Sequence, residues 1–152
     1  MITERQKQAL RYFAAGYNCA QSVFQAYGDL AGLTQAQSAL ISAGFGGGVG
    51  RLRQQCGAFS AAVMLCGLMA GPEGGRPEMR PAVYRRVQEV HRQFLAACGT
   101  VSCAELLHIA PGAQEPTPEK RTPAYYAKRP CARVILAACR IIEAQLDAKE
   151  NE

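Results

Sequence analysis

The chain has no tryptophan, two histidines and only 7% aromatic residues. It has no Cys-x-x-Cys pair, no Cys-x-x-Cys-His haem-attachment motif, no Gly-x-Gly-x-x-Gly register and no Gly-Lys-Ser/Thr. Each absence excludes something. A nucleic-acid surface needs a continuous basic stripe interleaved with stacking aromatics, and neither is present. Thioredoxin-type and zinc-ribbon spacings fail without Cys-x-x-Cys. The two phosphate-cradling nucleotide signatures fail as well. Membrane insertion is not expected: the longest uncharged stretches, 30–50 and 54–72, are interrupted by Gly, Gln and Ser. The charged start, Met1-Ile2-Thr3-Glu4-Arg5-Gln6-Lys7, is unlike an ordinary signal peptide. A reducing cytoplasm is the expected compartment.

What is present is a 152-residue chain, 49% hydrophobic and 19% charged, with net charge +5. That is the size of one domain, 1–152, able to bury a core without staples. Alanine and glycine are abundant, which favours closely packed helices over a sheet sandwich. Seventeen basic residues, thirteen of them arginine, are spread along the chain in short clusters such as Arg51/Arg53 and Lys128/Arg129/Arg133. Seven cysteines, an odd number in a reducing setting, argue against a disulfide framework. They point to metal, cluster or thiol chemistry, or to small apolar core residues.

The periodicity predicts an all-α bundle of six or seven helices. The first spans 3–15 with Leu10, Phe13 and Ala14 inward. Asn18 caps a second that begins at Cys19, with Val23, Phe24 and Tyr27 inward. Thr34-Gln35-Ala36-Gln37 is a capping box for a third. A glycine-rich loop, Gly44-Phe45-Gly46-Gly47-Gly48-Val49-Gly50, separates it from a largely apolar fourth helix from Gln54 to Met69. A fifth, with Val83, Val87, Val90 and Phe94 on one face, is stopped by Gly99. Ser102 caps a short sixth, Cys103–Leu107. A proline-rich connector, 111–124, leads to Pro130 and a last helix that runs to about Ala148.

On this map Cys19, Cys56, Cys103 and Cys131 all fall at or near a helix start. The unpaired amides and positive dipole end there favour an anion, so such cysteines are expected to carry more thiolate. Neighbouring Arg51, Arg53, Arg129 and Arg133 push the same way. Cys66, Cys98 and Cys139 lie inside or at the end of helices, where packing alone explains them. The two histidines, His91 and His108, read as packing or surface residues. Tyr17, Phe45, Tyr125 and Tyr126 read as core or site-wall residues, and Tyr17 and Phe45 are placed to shield a site built by the four cysteines.

The words Gly-Tyr-Asn-Cys-Ala-Gln-Ser-Val (16–23), Gly-Phe-Gly-Gly-Gly-Val-Gly-Arg (44–51), Cys-Gly-Ala-Phe-Ser-Ala-Ala-Val-Met (56–64) and Cys-Ala-Glu-Leu-Leu (103–107), followed by Cys131, resemble the C_GCAxxG_C_C family. Its members are regarded as redox-active. The resemblance implies that Cys19, Cys56, Cys103 and Cys131 are its defining cysteines. It also extends to the cluster-bearing domain of split-Soret cytochrome c, which implies an iron–sulfur cluster held by cysteines of this type. One position departs from the motif: Ala61 stands where the family has glycine, and a slightly looser helix crossing is expected there.

The leading expectation is therefore a redox protein with a four-cysteine centre, an iron–sulfur cluster site for electron transfer or redox sensing. Gly46, Gly47, Gly48 and Arg51 are the expected cofactor-binding residues, through backbone N–H groups and positive charge. The alternatives are thiol–disulfide chemistry by the same cysteines, with Cys56 as nucleophile, and a zinc or small-ligand binding module. The implied partner is an electron donor or acceptor protein, and a homo-oligomer is compatible with the sequence. An oxidoreductase activity is compatible too, although no acid–base pair stands out.

Overall fold

Side-chain caps start most of the helices in the structure, a computed structural model that describes residues 1–151. Thr3 caps α1 (Glu4–Ala14) by accepting from the Gln6 amide. Asn18 and Gln21 form a reciprocal capping box on α2 (Cys19–Tyr27), and Thr34 and Gln37 form another on α3 (Gln35–Ser42). α4 (Gly57–Met69) has Cys56 at its N-cap. α5 (Arg80–Cys98) has Pro81 in its first turn and ends at Gly99, in the left-handed conformation with φ 85°. Ser102 caps α6 (Cys103–Leu107), Thr122 caps α7 (Pro123–Lys128), and α8 (Cys131–Glu150) follows Pro130. The described residues thus form eight helices and no strand. The expected all-α architecture holds, with one helix more than expected. The extra one, α7, is a Thr-Pro start hidden at the end of the proline-rich connector.

α2 and α4 pair most extensively, and α4 also packs on α5 and α8. α1 closes against α2 and α8. One core runs through them, built around Phe13, Val23, Tyr27, Leu65, Phe94, Ile135 and Ile142. Gln6 and Ala9 are buried on α1 and Ala14 is exposed, so the inward face is turned by about one residue from the expected one. Ala61 is completely buried in α4, which continues unbroken through it. His91 packs edge-on against Phe59, ring centroids 5.7 Å apart.

Two polar devices fix the helices that carry cysteines. The Glu143 carboxylate on α8 accepts from Thr3 Oγ1 at 2.7 Å, Gln6 Nε2 at 2.6 Å and Tyr27 Oη at 2.8 Å, tying α8 to α1 and α2. A one-residue antiparallel bridge joins Gln55 to Ser102. In it the Cys56 amide donates to Val101 O at 2.7 Å and the Cys103 amide to Gln54 O at 2.6 Å. This extended pairing is why α4 starts at Gly57 rather than at Gln54.

The glycine-rich segment is wound rather than open. A 3-10 turn, Ala43–Phe45, leads into a turn at Gly46–Val49 whose backbone becomes left-handed at Gly47 and Gly48. Positive φ continues through Val49, Gly50 and Arg51, and recurs at Arg53. No described helix is long and apolar enough to cross a membrane.

Candidate four-cysteine redox site

Four cysteines start, or stand one residue before, four different helices: Cys19 on α2, Cys56 before α4, Cys103 on α6 and Cys131 on α8. The structure brings all four to one cavity of about 60 Å³. Cys56 and Cys103 are delivered side by side by the backbone bridge between their segments. Cys19 and Cys131 are neighbours in the cavity, and each is the largest influence on the other's proton affinity. All seven cysteines are free thiols.

Close backbone approach makes this convergence possible. Gly57 lets the start of α4 lie against α2: a Cβ there would meet Phe45 O at 2.9 Å and Ala20 N at 3.0 Å. At Gly48, in the left-handed region with φ 67°, a Cβ would meet Cys103 Cβ at 2.5 Å and Gln54 N at 2.7 Å. The left-handed turn therefore sits directly on the Cys103 side of the cavity.

The rest of the lining is positive and apolar. Arg53, Arg121 and Arg129 reach the cavity, and no carboxylate lines it. Arg53 is buried, and its Nη1 donates to Cys103 Sγ at 3.5 Å, within reach of a sulfur acceptor. Its Nε donates to Gln114 Oε1 at 2.8 Å. Arg121 is held by the carbonyls of Phe13 and Tyr17 and stacks 4.8 Å from the Tyr125 ring. Arg129 stacks on the same ring at 4.7 Å and donates to Glu119 at 2.5 Å. Stacking and hydrogen bonds hold these guanidinium groups beside apolar walls. Leu106, Leu107, Val134 and Tyr125 supply those walls.

The four thiols are not equivalent. Cys131 is pulled down to about 7, first by the hydrogen bond from Cys19 and then by Arg129, Arg121 and Arg53, against the cost of burial. Cys19 is pushed well up, because it holds the proton shared with Cys131 and is half-buried and desolvated near three other sulfurs. Burial pushes Cys56 up to about 12, although the Ala58 and Phe59 amides pull the other way. The expectation that every helix-start cysteine gains thiolate is thus corrected. At Cys19 the proton shared with Cys131 and then desolvation outweigh the helix end, at Cys56 desolvation does, and the candidate nucleophile moves from Cys56 to Cys131.

Other expected residues are distributed as follows. Gly47 and Gly48 line the cavity, whereas Gly46 is packed against the Asn18 side chain and borders the adjoining groove. Arg51 also faces that groove and donates to Glu115 O at 2.7 Å; Arg53 takes the place beside the sulfurs. Arg133 is exposed and acts on Cys98 instead of Cys131. Tyr17 and Phe45 do not line the cavity; Tyr125 does. Cys66 and Cys139 are fully buried in the core and Cys98 packs at its edge. Arg121 had no local signal, since it lies in the proline-rich segment and reaches the site only through the fold.

The donor set is four sulfurs. Among the described residues, no three His, Cys, Asp or Glu side chains are gathered as ligands of a single metal ion. Four sulfurs with no carboxylate in the lining are a soft donor set.

Fold and site together define a helical protein in which four cysteines at converging helix starts line one cavity. The family described as putative redox-active protein (C_GCAxxG_C_C) matches residues 17–145, and the chain belongs to it. Among curated proteins and among solved structures, none matches the chain.

Proposed function

We propose that Cys19, Cys56, Cys103 and Cys131 hold an iron–sulfur cluster and that the protein transfers electrons or senses redox state through it. The observation that carries this reading is the cavity: four sulfurs from four helix starts, three arginines and no carboxylate. A bound cluster supplies one-electron chemistry at a potential set by charge, hydrogen bonds and exposure. The chain's own residues would set those terms. Arg53 donates to the Cys103 sulfur. Arg121 and Arg129 offset negative charge, and Leu106, Leu107, Val134 and Tyr125 exclude water. Cytoplasmic placement and an electron-donor or -acceptor protein as partner belong to the same reading.

A second reading rests on one pairing. Cys19 and Cys131 line the same cavity, and each is the largest influence on the other's proton affinity. Thiol–disulfide exchange with a small-molecule disulfide joins them: the oxidant's S–S bond breaks, its two sulfurs leave as a thiol and a thiolate carrying the two electrons and the one proton, and the Cys19–Cys131 bond forms, which makes the pair a dithiol switch. Anaerobic reconstitution with iron and sulfide separates the two readings. The cluster reading expects a coloured protein with iron and acid-labile sulfide, lost in each of the four Cys→Ser variants and retained in Cys66→Ala. A colourless, iron-free protein that forms a Cys19–Cys131 disulfide on mild oxidation refutes the cluster and supports the switch.

A further inference from the structure

The cavity has a neighbour. A groove of about 330 Å³ adjoins it. Asn18, Gly47, Arg53, Arg121, Tyr125 and Arg129 line both. The groove thus lies beside the sulfur site, separated from it by no more than these shared side chains. It adds Arg51, and it carries one acidic residue, Glu119.

Four guanidinium groups converge there: Arg51, Arg53, Arg121 and Arg129. Together they carry about twenty N–H donors. Six of their hydrogen bonds reach described residues, and only the one from Arg129 to Glu119 reaches a carboxylate. Glu119 is held below the usual carboxylate range, chiefly by its hydrogen bond with Arg129 and also by Arg51 and Arg53. One carboxylate on the connector thus serves several arginines. Even with Cys131 as a thiolate, four cations face two anions. A concave, partly buried positive site of this size suits a small molecule, at the low end of ligand-pocket volumes, rather than a flat protein patch.

We propose that this groove binds a small anionic ligand, a carboxylate or an oxyanion, and presents it to the four-cysteine centre, with Glu119 occupying the anion position when no ligand is there. The bidentate fork of arginine matches both chemistries. The ligand's charge would face Arg51 and Arg129, and its other end the shared wall at Tyr125. Binding of this kind does not rest on what the cysteines hold, so it stands or falls separately from the cluster.

The test is isothermal titration of the purified full chain, metal-free and reconstituted, with inorganic phosphate, sulfate and succinate at about 50 mM NaCl. Saturable binding of at least one probe is expected, on the oxyanion arm or the carboxylate arm. Arg51→Gln and Arg129→Gln should each weaken it at least tenfold, and Arg129→Lys should weaken it less than Arg129→Gln. Arg140→Gln, outside the groove, should bind like the parent. Glu119→Gln should bind several-fold more tightly, because the resident competitor is gone. That variant tests the proposal even if an arginine variant misfolds, since Glu119 lies on the exposed connector. Absence of saturable binding in both the parent and Glu119→Gln overturns the proposal. So does binding that is indifferent to Arg51 and Arg129, or binding of a polyglutamate peptide with none of the small anions.

Discussion

Alkylation of the reduced, metal-free protein should begin at Cys131. Its thiol is drawn from an ordinary 9.0 to about 7 by the Cys19 hydrogen bond and three arginines, whereas burial takes Cys56 to about 12. A thiol at about 7 would be about half thiolate at pH 7, and one at about 12 about one part in 10⁵. Part of that advantage is lost, because nucleophilicity falls with pKa at a slope of about 0.4–0.5. Five decades of thiolate fraction then shrink to roughly 10²–10³ in rate, before any difference in access. Cys131 is also the more exposed of the two. Iodoacetamide labelling followed by peptide mass spectrometry should therefore show Cys131 first, with a rate that rises through a midpoint near pH 7. Cys19→Ala removes the largest cause and should move that midpoint toward 9, stopping short because the arginines remain. A parent midpoint at 9 or above, Cys56 labelled before Cys131, or no movement in Cys19→Ala would each refute the reasoning.

Three further outcomes follow from the same geometry. Gly48→Ala should cost about 2–5 kcal/mol in urea unfolding, the left-handed backbone and the overpacking against Cys103 and Gln54 together. Gly50→Ala has a similar φ but no neighbour closer than 4.0 Å, so it should cost only about 1–2 kcal/mol; equal costs would remove the close-approach argument. Burial raises Cys56 and Cys139 to about 12 in the folded protein from an ordinary 9.0. The unfolded chain therefore loses those protons first, and stability is full below about pH 9 and falls as pH rises toward 12. Cys139→Ala should make that alkaline fall shallower in urea melts between pH 8 and 11, and an unchanged slope would count against the buried neutral thiol. Cys139→Ala should also leave cluster loading or Cys131 reactivity intact at a cost of roughly 1 kcal/mol. Cys56→Ser should abolish cluster loading, and equal loss in the two variants would dissolve the division between site and core cysteines.

The helix starts were legible because their signals are local. Asn18 with Gln21, Thr34 with Gln37, and Ser102 each satisfy amides within three residues, and they mark three helix starts. Two of these signals place Cys19 and Cys103, whereas Cys56 and Cys131 start helices without a side-chain cap and are placed by the apolar run after the glycines and by Pro130. The meeting of the four was not legible, because it depends on the Gln55–Ser102 bridge, a contact between distant segments with no periodicity to announce it. The protonation pattern was misjudged for a related reason. The helix end is visible in sequence, but the desolvation that defeats it at Cys56 exists only after folding. Arg51 and Arg53 are two residues apart, and only the backbone path between them decides that Arg53 faces sulfur and Arg51 faces the connector.

That path is costly. Gly47, Gly48, Val49, Gly50, Arg51 and Arg53 all have positive φ, and left-handed backbone at the three non-glycine positions costs about 1–2 kcal/mol each. Such strain persists only where surrounding contacts over-determine it. Here they do: Leu52 N donates to Val49 O at 3.0 Å, Arg53 N to Gly47 O at 3.2 Å, Gln54 N to Gly48 O at 2.9 Å, and Gln114 N from the connector to Arg51 O at 2.9 Å. Glycine at position 53 would relieve the backbone at once. It would also delete the guanidinium that touches Cys103 and anchors Gln114. Lysine would keep the charge but lacks the planar fork that serves two partners. An arginine at a position whose backbone favours glycine is therefore explained by the sulfur site and the connector it joins, not by the turn.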